Sequence, residues 1–431
     1  MTLRGVLEVA STGIVALAAV VLLGLYMHDR GRPPVTPGPG LSRSRDCLVL
    51  LFLPLVLACR DEPSGRAEVI EQWSLVDLSL DPIGLAEGPE THTLFRARDA
   101  LSLGPSLIAV ANAREEILLF RRTGEFLRRI GGRGDGPAEF RSLFRLFRLP
   151  NDTLMAIDGQ RQRVLLFDTV GNYLSAFRLP PEEGREGTGG YAVLGPGKIM
   201  AIGHSMAEAP APTGQIVFRP KVPLYLIEAG KGSTVVGEVL GEPRVIKGTG
   251  WRLQPLGPST LLSTWREGAA VTYGIDSEIR FFDSKGSPAG AFRTPRSPIP
   301  VTDEVVSAWE AERRAMRREV GMPPDRPLYP PGWTLPFPEH LPVYDRMLSD
   351  DAGCLWLRRY PLPGEEISSW DVADPASQAV ATFSFPRHNL IRDVRDGTVV
   401  VLTEDELGVQ RIELFGIDTG KAASRLSCDF E

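Results

Sequence analysis

One pattern of apolar and polar positions occurs twice in this chain, in Ile117–Ile130 and in Val164–Phe177. The two segments read ILLFRRTGEFLRRI and VLLFDTVGNYLSAF, and their matching phenylalanines, Phe120 and Phe167, are 47 residues apart. Each copy is an apolar run, a turn that contains Gly, and a second apolar run, which is the pattern of a β-hairpin. A self-match at about 40–50 residues indicates an array of four-stranded units, such as the blades of a β-propeller.

Short strand-like segments separated by Gly, Pro or Asp turns continue through the rest of the chain and predict five complete units and one incomplete unit. In this scheme, Leu94–Ala97 is the first strand of unit one, and Trp251–Pro255 is the first strand of unit four. We therefore expect an all-β fold over residues 72–417, in which six blades of four antiparallel strands form a β-propeller.

The sixth unit has only three strands at the C-terminal end of the array. The missing strand is predicted at Gln72–Ile83, because Trp73 and Ile83 precede two residues of the first hairpin, Phe120 and Ile130, by the same 47 residues. Pairing this segment with blade six would join the two ends of the ring and cover edges that are otherwise exposed. Trp73 and Ile83 are thus expected to belong to a closing strand.

An insertion separates units four and five. Asp303–Val320 has the one convincing helical pattern of the body, with Thr302 placed as its N-cap, and the face that carries Trp309 is expected to lie against the array. The Pro-rich tract Pro323–Pro342 follows the helix. We interpret residues 295–342 as a helical, Pro-rich insertion rather than a separate domain.

The N-terminal leader, residues 1–58, contains two apolar runs. The first, residues 5–27, is long enough to span a membrane. The second lies in residues 41–58, where a basic flank, a short apolar core and a small residue describe a secretory signal peptide, and Cys59 follows as in a lipobox. Ordinary signal-peptidase cleavage before an unmodified Cys59 is the alternative to lipidation. A lipid on Cys59 or a single membrane span would each give an exported, tethered body, with residues 59–71 as the tether and 418–431 as a tail.

The formal charge of the chain is −6, and it becomes −8 without residues 1–58, which contain five arginines and three acidic residues. This acidic balance, without a long basic run, argues against nucleic acid as a partner. Cys354 and Cys428 leave a disulfide possible but unassigned. Units one and two are locally basic, and the alternation of their arginines with Phe and Leu is typical of solvated strand faces. These arginines are Arg121, Arg122, Arg128, Arg129, Arg133, Arg141, Arg145 and Arg148.

A Gly-rich run, IGGRGDGPAEF, follows the first hairpin. A dinucleotide-binding loop would require a helix after it, whereas the next segment has a strand pattern, so we interpret the run as an inter-blade turn. The turn residues are Gly131, Gly134, Asp135, Gly136 and Pro137. The run resembles the G-x-G-D-G-P-x-x-F turn of bacterial six-bladed β-propeller proteins related to NHL-repeat modules. That resemblance implies an exported or lipid-anchored propeller and leaves the activity open.

Two further motifs concern the chemistry of the propeller. Ser349–Trp356 resembles an Asp-box, a structural turn on a propeller rim, and a single copy predicts no enzyme. Propellers of the lactonase type hold a divalent ion with Glu, Asn and Asp side chains in the central channel, and weak candidates here are Asn112, Asp158 and Glu404. Such residues at strand ends more often cap turns.

We expect a non-enzymatic module without a cofactor at the cell envelope, held at the membrane by its lipid anchor or its N-terminal span, which binds a protein or a small-molecule ligand. The alternative is a metal-dependent lactonase- or lyase-like hydrolase that uses acidic residues in the channel and a divalent metal. A sensory or scaffolding role outside the cytoplasm is a third hypothesis.

Overall fold

A computed structural model of the protein describes the following residues of the compact unit Pro63–Glu431: 67–78, 82–84, 93–149, 152–179, 190–203, 212–323, 326–334, 336–419 and 426. The predicted leader, with its two apolar runs, and the predicted lipid-attachment residue Cys59 lie outside these residues.

The described residues form 28 strands and one α-helix, and six sets of four antiparallel strands are the blades. Two short strands precede the blades: β1 (Glu68–Gln72) and β2 (Ser74–Asp77). Blade one consists of β3 (Asp99–Leu103), β4 (Leu107–Asn112), β5 (Glu116–Arg121) and β6 (Phe126–Gly131). Blade two consists of β7 (Leu143–Arg148), β8 (Leu154–Asp158), β9 (Arg163–Phe167) and β10 (Tyr173–Arg178).

Blades three and four are accompanied by an additional three-stranded sheet. Blade three consists of β11 (Tyr191–Gly195), β12 (Lys198–Ile202), β14 (Lys221–Glu228) and β15 (Gly232–Leu240). The additional sheet consists of β13 (Gln215–Phe218), β16 (Arg244–Lys247) and β17 (Gly250–Leu253). Blade four consists of β18 (Leu261–Trp265), β19 (Gly268–Thr272), β20 (Glu278–Phe282) and β21 (Pro288–Arg293).

Helix α1 (Asp303–Glu319) comes between blades four and five. Its N-cap is Thr302, whose hydroxyl oxygen accepts a hydrogen bond from Val305 N at 3.4 Å. No residue of α1 is buried, and the ring of Trp309 contacts Phe337 of the Pro-rich tract edge-on at 5.6 Å between centroids. The predicted helix is therefore present, but Trp309 packs on its own insertion.

Blades five and six complete the ring. Blade five consists of β22 (Tyr344–Ser349), β23 (Leu355–Arg359), β24 (Ile367–Asp374) and β25 (Ala379–Pro386). Blade six consists of β26 (Leu390–Arg395), β27 (Thr398–Glu404) and β28 (Gln410–Asp418), together with β2.

The N-terminal segment closes the ring in the last blade. Strand β2 pairs antiparallel with β28, and beyond it Ile83 exchanges two backbone hydrogen bonds with Ile412, both at 2.9 Å. Trp73 is 3% exposed, its ring lies 6.3 Å from that of Trp356, and removing such a side chain costs about 3–5 kcal/mol. Strand β1, which the sequence did not predict, pairs in parallel with β25. The edges of blades five and six are therefore both covered.

The hydrophobic core of the described residues consists of six clusters, one at each interface between consecutive blades. Alternate residues of one strand contribute to the clusters on the two faces of its sheet. In β5, Ile117 and Leu119 lie in the cluster between blades one and two, whereas Leu118 and Phe120 lie in the cluster between blades six and one. Because each sheet is buried on both faces, its central strands are continuous apolar runs in the sequence.

Two of the predicted first strands are wrong. In blade one the first strand is β3, while Leu94 and Ala97 are buried in the cluster against blade six. In blade four the first strand is β18, and the segment predicted at Trp251–Pro255 belongs to β17 of the additional sheet. The second strand of blade four, β19 (GAAVT), begins with one Gly and two Ala residues, which are depleted in strands, and therefore has a weak strand signal.

Candidate functional site: the central channel

The first strands of the six blades are the innermost strands, and together they line a central cavity of about 420 Å³. These inner strands are β3, β7, β11, β18, β22 and β26. A cavity of this volume is within the range that small-molecule sites occupy. Since every blade contributes to its wall, the cavity exists only in the closed ring.

Side chains on the inner strands satisfy backbone groups of the neighbouring blade. A carboxylate oxygen of Asp99 accepts from Leu146 N at 3.0 Å, and one of Asp393 accepts from Ser102 N at 2.8 Å. An inner strand has no further strand on its channel side, so these N–H groups would otherwise lack a partner. Asp99 and Asp393 therefore join blade one to blades two and six.

Four arginines converge near one end of the cavity, and we call them the arginine cluster: Arg145 of blade two, Arg346 and Arg358 of blade five, and Arg392 of blade six. Arg145 and Arg392 line the cavity. Arg346 and Arg358 lie directly opposite each other on β22 and β23. Like charges in this arrangement repel each other and destabilise the sheet.

Two carboxylates neutralise only part of this charge. Asp345 accepts two hydrogen bonds from Arg358, at 2.8 and 2.7 Å, and Asp99 lies 3.5 Å from Arg145 Nε. Among the described residues, no carboxylate oxygen lies within the 4.0 Å ion-pair distance of Arg346 or Arg392. The six side chains together carry a net charge of +2.

The guanidinium N–H groups of Arg346 and Arg392 make few hydrogen bonds. One terminal nitrogen of Arg346 donates to Ile391 O at 3.2 Å, and the buried Nε of Arg392 has no hydrogen-bond partner among the described residues. Burial, and next the charges of Arg392, Arg358 and Arg145, lower the pKa of Arg346 to about 9. Burial likewise lowers the pKa of Arg392. The fold therefore holds two guanidinium groups in an environment that disfavours their charge.

The other end of the cavity is rich in carboxylates. Arg395 lies 3.4 Å from Asp152, 3.8 Å from Asp351 and 3.2 Å from Asp396. Buried Asp350 accepts from Cys354 N at 2.7 Å and from Trp356 Nε1 at 2.8 Å, and burial raises its pKa to about 6. The S-x-D spacing of the Asp-box-like motif points to Asp351, but Asp350 is the residue that holds the turn.

The three candidate metal residues do not line the cavity. Asn112 donates to Glu116 and accepts from Phe95 N, and Asp158 accepts from three backbone N–H groups between Arg141 and Arg161. Glu404 is exposed and accepts from Gln410 at 3.0 Å. Each binds local partners in its own blade. No three His, Cys, Asp or Glu side chains in the described part of the chain are grouped as a metal site would require.

The predicted turn residues connect blade one to blade two, away from the cavity. Gly131 has φ +77, and a Cβ there would lie 2.6 Å from the ring of Phe140. Gly134, Gly136 and Pro137 follow in the turn, where Glu139 accepts from Gly136 N at 2.7 Å. Asp135 binds Arg141 and Arg161. Contacts within the turn and to blade two account for these side chains.

Sequence reasoning missed the arginine cluster. The alternation with Phe and Leu predicts that Arg145 and Arg148 lie on solvated strand faces, yet both line the cavity. A signal does exist, because three inner strands carry arginine at their third position: LFRLFR, YDRMLS and LIRDVR. Reading that signal requires knowing which strand of each unit is innermost.

In the part of the chain that the structure describes, no helix is both long enough and apolar enough to cross a membrane.

Comparison with known proteins agrees with the fold. The model of the family DUF5128, described as a 6-bladed beta-propeller, matches residues 102–183, which cover most of blades one and two. The protein is a six-bladed β-propeller. The relation to NHL repeats stays a prediction. No curated protein matches the propeller chain.

Three solved structures resemble the propeller at low sequence identity. A member of the DUF4221 family from Bacteroides vulgatus has 9% identity and a TM-score of 0.49, with 81% of this chain and 99% of that chain covered. A protein of Bacteroides fragilis, provisionally named an exported protein, has 12% identity and a TM-score of 0.45, covering 83% and 98%. A gluconolactonase of Xanthomonas campestris has 10% identity and a TM-score of 0.41, covering 83% and 99%. We draw no functional argument from likenesses this distant.

Proposed function

We propose that this propeller is an exported, lipid-anchored module that binds a small ligand in its central cavity at the cell envelope. The observation that carries the proposal is the cavity of about 420 Å³, which all six inner strands line and whose wall contains both charged and apolar side chains. Concave sites that combine apolar walls with a few converging polar groups are where proteins bind small molecules.

The proposed location is supported by the leader and by cysteine chemistry. The apolar run that ends at Ala58, followed by Cys59, has the order of a lipoprotein signal. Cys354 is fully buried and disulfide-bonded, and disulfides persist mainly in oxidising compartments outside the cytoplasm. Both observations fit a body that acts outside the cytoplasm.

The anchor is tested by metabolic labelling with a radioactive fatty acid in a bacterial host. We expect the wild-type chain to be labelled and to fractionate with membranes, and Cys59→Ser to lose both properties. Cys47→Ser is the matched control, because it removes a cysteine inside the leader. Labelling that survives in Cys59→Ser would show that Cys59 is not the attachment site.

Ligand binding is tested on the full-length chain, purified in detergent, by thermal shift against a panel of anionic, neutral and cationic small molecules. At least one compound should raise the melting temperature in a concentration-dependent way. Substitution of the cavity residue Ser263 by Trp, which fills the space, should abolish that shift, whereas Ser175→Trp on the exposed outer strand β10 should not. Metal analysis of the same preparation tests the hydrolase alternative, since a stoichiometric divalent ion would favour it.

A further inference from the structure

The arginine cluster has a charge that the fold itself does not explain. Its four arginines face only two carboxylates, Asp345 and Asp99, in a chain whose formal charge is −6. Many arginines in the described residues are paired with a carboxylate, as Arg296 and Arg359 are with buried Asp371. The cluster departs from that arrangement.

The positions of Arg346 and Arg392, which have no carboxylate partner in the described part of the chain, further reduce the stability of the fold. Arg346 lies opposite Arg358 across two paired strands, and Arg392 has a buried Nε without a partner among the described residues. Buried polar groups in native proteins are nearly always hydrogen-bonded, and buried charges are nearly always neutralised. An arrangement that violates both rules beside a cavity is typical of a site whose partner is a ligand.

We propose that the arginine cluster binds the oxyanion group, a carboxylate or a phosphate, of the small ligand in the central cavity, an inference that rests on the proposed binding function. Guanidinium groups present planar forks of N–H donors that match both oxyanions and form short, charge-assisted hydrogen bonds with them. A bound carboxylate would offset half of the net charge of +2, and a doubly charged phosphate would offset all of it.

The opposite end of the cavity determines how the ligand is oriented. There, Arg395 lies among Asp152, Asp351 and Asp396, so a negative group would meet carboxylates rather than free donors. The anionic part of the ligand therefore lies toward Arg145 and Arg392, and its neutral or cationic part lies toward the carboxylates.

The test measures binding and stability in the same variants. Isothermal titration calorimetry of the full-length chain in detergent uses inorganic phosphate, pyrophosphate and citrate as anionic probes, with glucose and putrescine as neutral and cationic ones. Arg346→Met and Arg392→Met should each weaken binding of the preferred anion at least about tenfold. Without ligand, both variants should melt about 2 °C or more above wild type, because an unpaired charge is removed. Arg128→Met, on the exposed outer strand of blade one, is the control for net charge.

The outcomes separate the two proposals. Preference for citrate identifies a carboxylate ligand, and preference for phosphate or pyrophosphate identifies a phosphorylated one. Either preference supports the inference if Arg346→Met and Arg392→Met lose binding of that anion. Glucose or putrescine binding that the cluster variants leave unchanged, with no anion bound, overturns the inference and keeps the binding function. Failure of every probe overturns both. Arg→Met variants that melt below wild type and bind anions normally would show a structural role for the cluster.

Discussion

At one end of the central cavity, Arg395 has three carboxylates within 3.8 Å, whereas Arg346 and Arg392 at the other end have none within ion-pair distance among the described residues. Both ends are built from the same inner strands, so the difference does not come from the backbone. At the carboxylate end the protein neutralises its own charge. At the arginine end it does not, and the stability that this costs is compatible with a site reserved for an anion.

The largest change in stability is expected when the arginine cluster loses one of its two carboxylates. Asp345→Ala removes the carboxylate that binds Arg358 and leaves a third guanidinium of the cluster without a carboxylate partner among the described residues. Because this pair is mostly buried, we expect a loss of about 3 kcal/mol in the free energy of unfolding, measured by chemical denaturation.

Asp135→Ala is the control for that prediction. It breaks the ion pairs of Asp135 with Arg141 and Arg161, which are about half exposed, and should cost less than about 1 kcal/mol. Equal losses in the two variants would contradict the distinction between a buried arginine cluster and an ordinary surface pair.

The carboxylate end should show its own signature in the pH dependence of stability. Burial raises the pKa of Asp350 from 3.8 to about 6, so the folded protein binds this proton more tightly than the unfolded chain does. Its stabilising contribution is therefore fully present below pH 3.8 and is lost as pH rises through 6, a change of about 2–3 kcal/mol.

In Asp350→Asn, the free energy of unfolding should change less with pH between about 4 and 7 than it does in wild type. Glu125→Gln, an exposed acid on blade one, should leave the slope as in wild type. A profile for Asp350→Asn that matches the wild-type one would show that Asp350 is not the titrating group.

A smaller effect is expected for Arg395→Met, which removes the cation from the carboxylate end. Asp152, Asp351 and Asp396 would then repel one another, but all are partly exposed, so we expect a loss of about 1 kcal/mol by chemical denaturation. The sign of the change in the free energy of unfolding distinguishes the two ends, because removing Arg346 at the other end should stabilise the protein. Destabilisation of similar size at both ends would remove the contrast between them.

Salt should have the smallest effect. Raising the ionic strength from about 0.05 to 0.5 M shortens the screening length and weakens repulsion among the four arginines, and so should stabilise wild type by a few tenths of a kcal/mol more than Arg346→Met. The salt dependence of the melting temperature, measured for both proteins with chloride and then with phosphate, provides the check. If phosphate changes the melting temperature equally in wild type and in Arg346→Met, the result counts against an anion bound at the arginine cluster.

Much of the architecture follows from the sequence. The 47-residue repeat predicts the blade, and the register of Trp73 and Ile83 places the N-terminal segment in the last blade, where β2 and Ile83 pair with β28. These features rest on local alternation and turn chemistry, which a sequence displays directly. The sequence did not reveal β1 or β19, whose pairing depends on neighbours that are distant in the chain or on residues with weak strand preference.

The site required the tertiary structure. Arg145, Arg346 and Arg392 are separated by about 200 and 46 positions in the chain, and each alone has the appearance of a solvated charge on a strand. Only closure of the ring brings blades two, five and six around one cavity and partly shields these guanidinium groups from water. The sequence by itself determined the repeating strands and their order, since those depend on local patterns. The tertiary structure decided which charges meet, because electrostatic balance and burial depend on distances that no local pattern encodes.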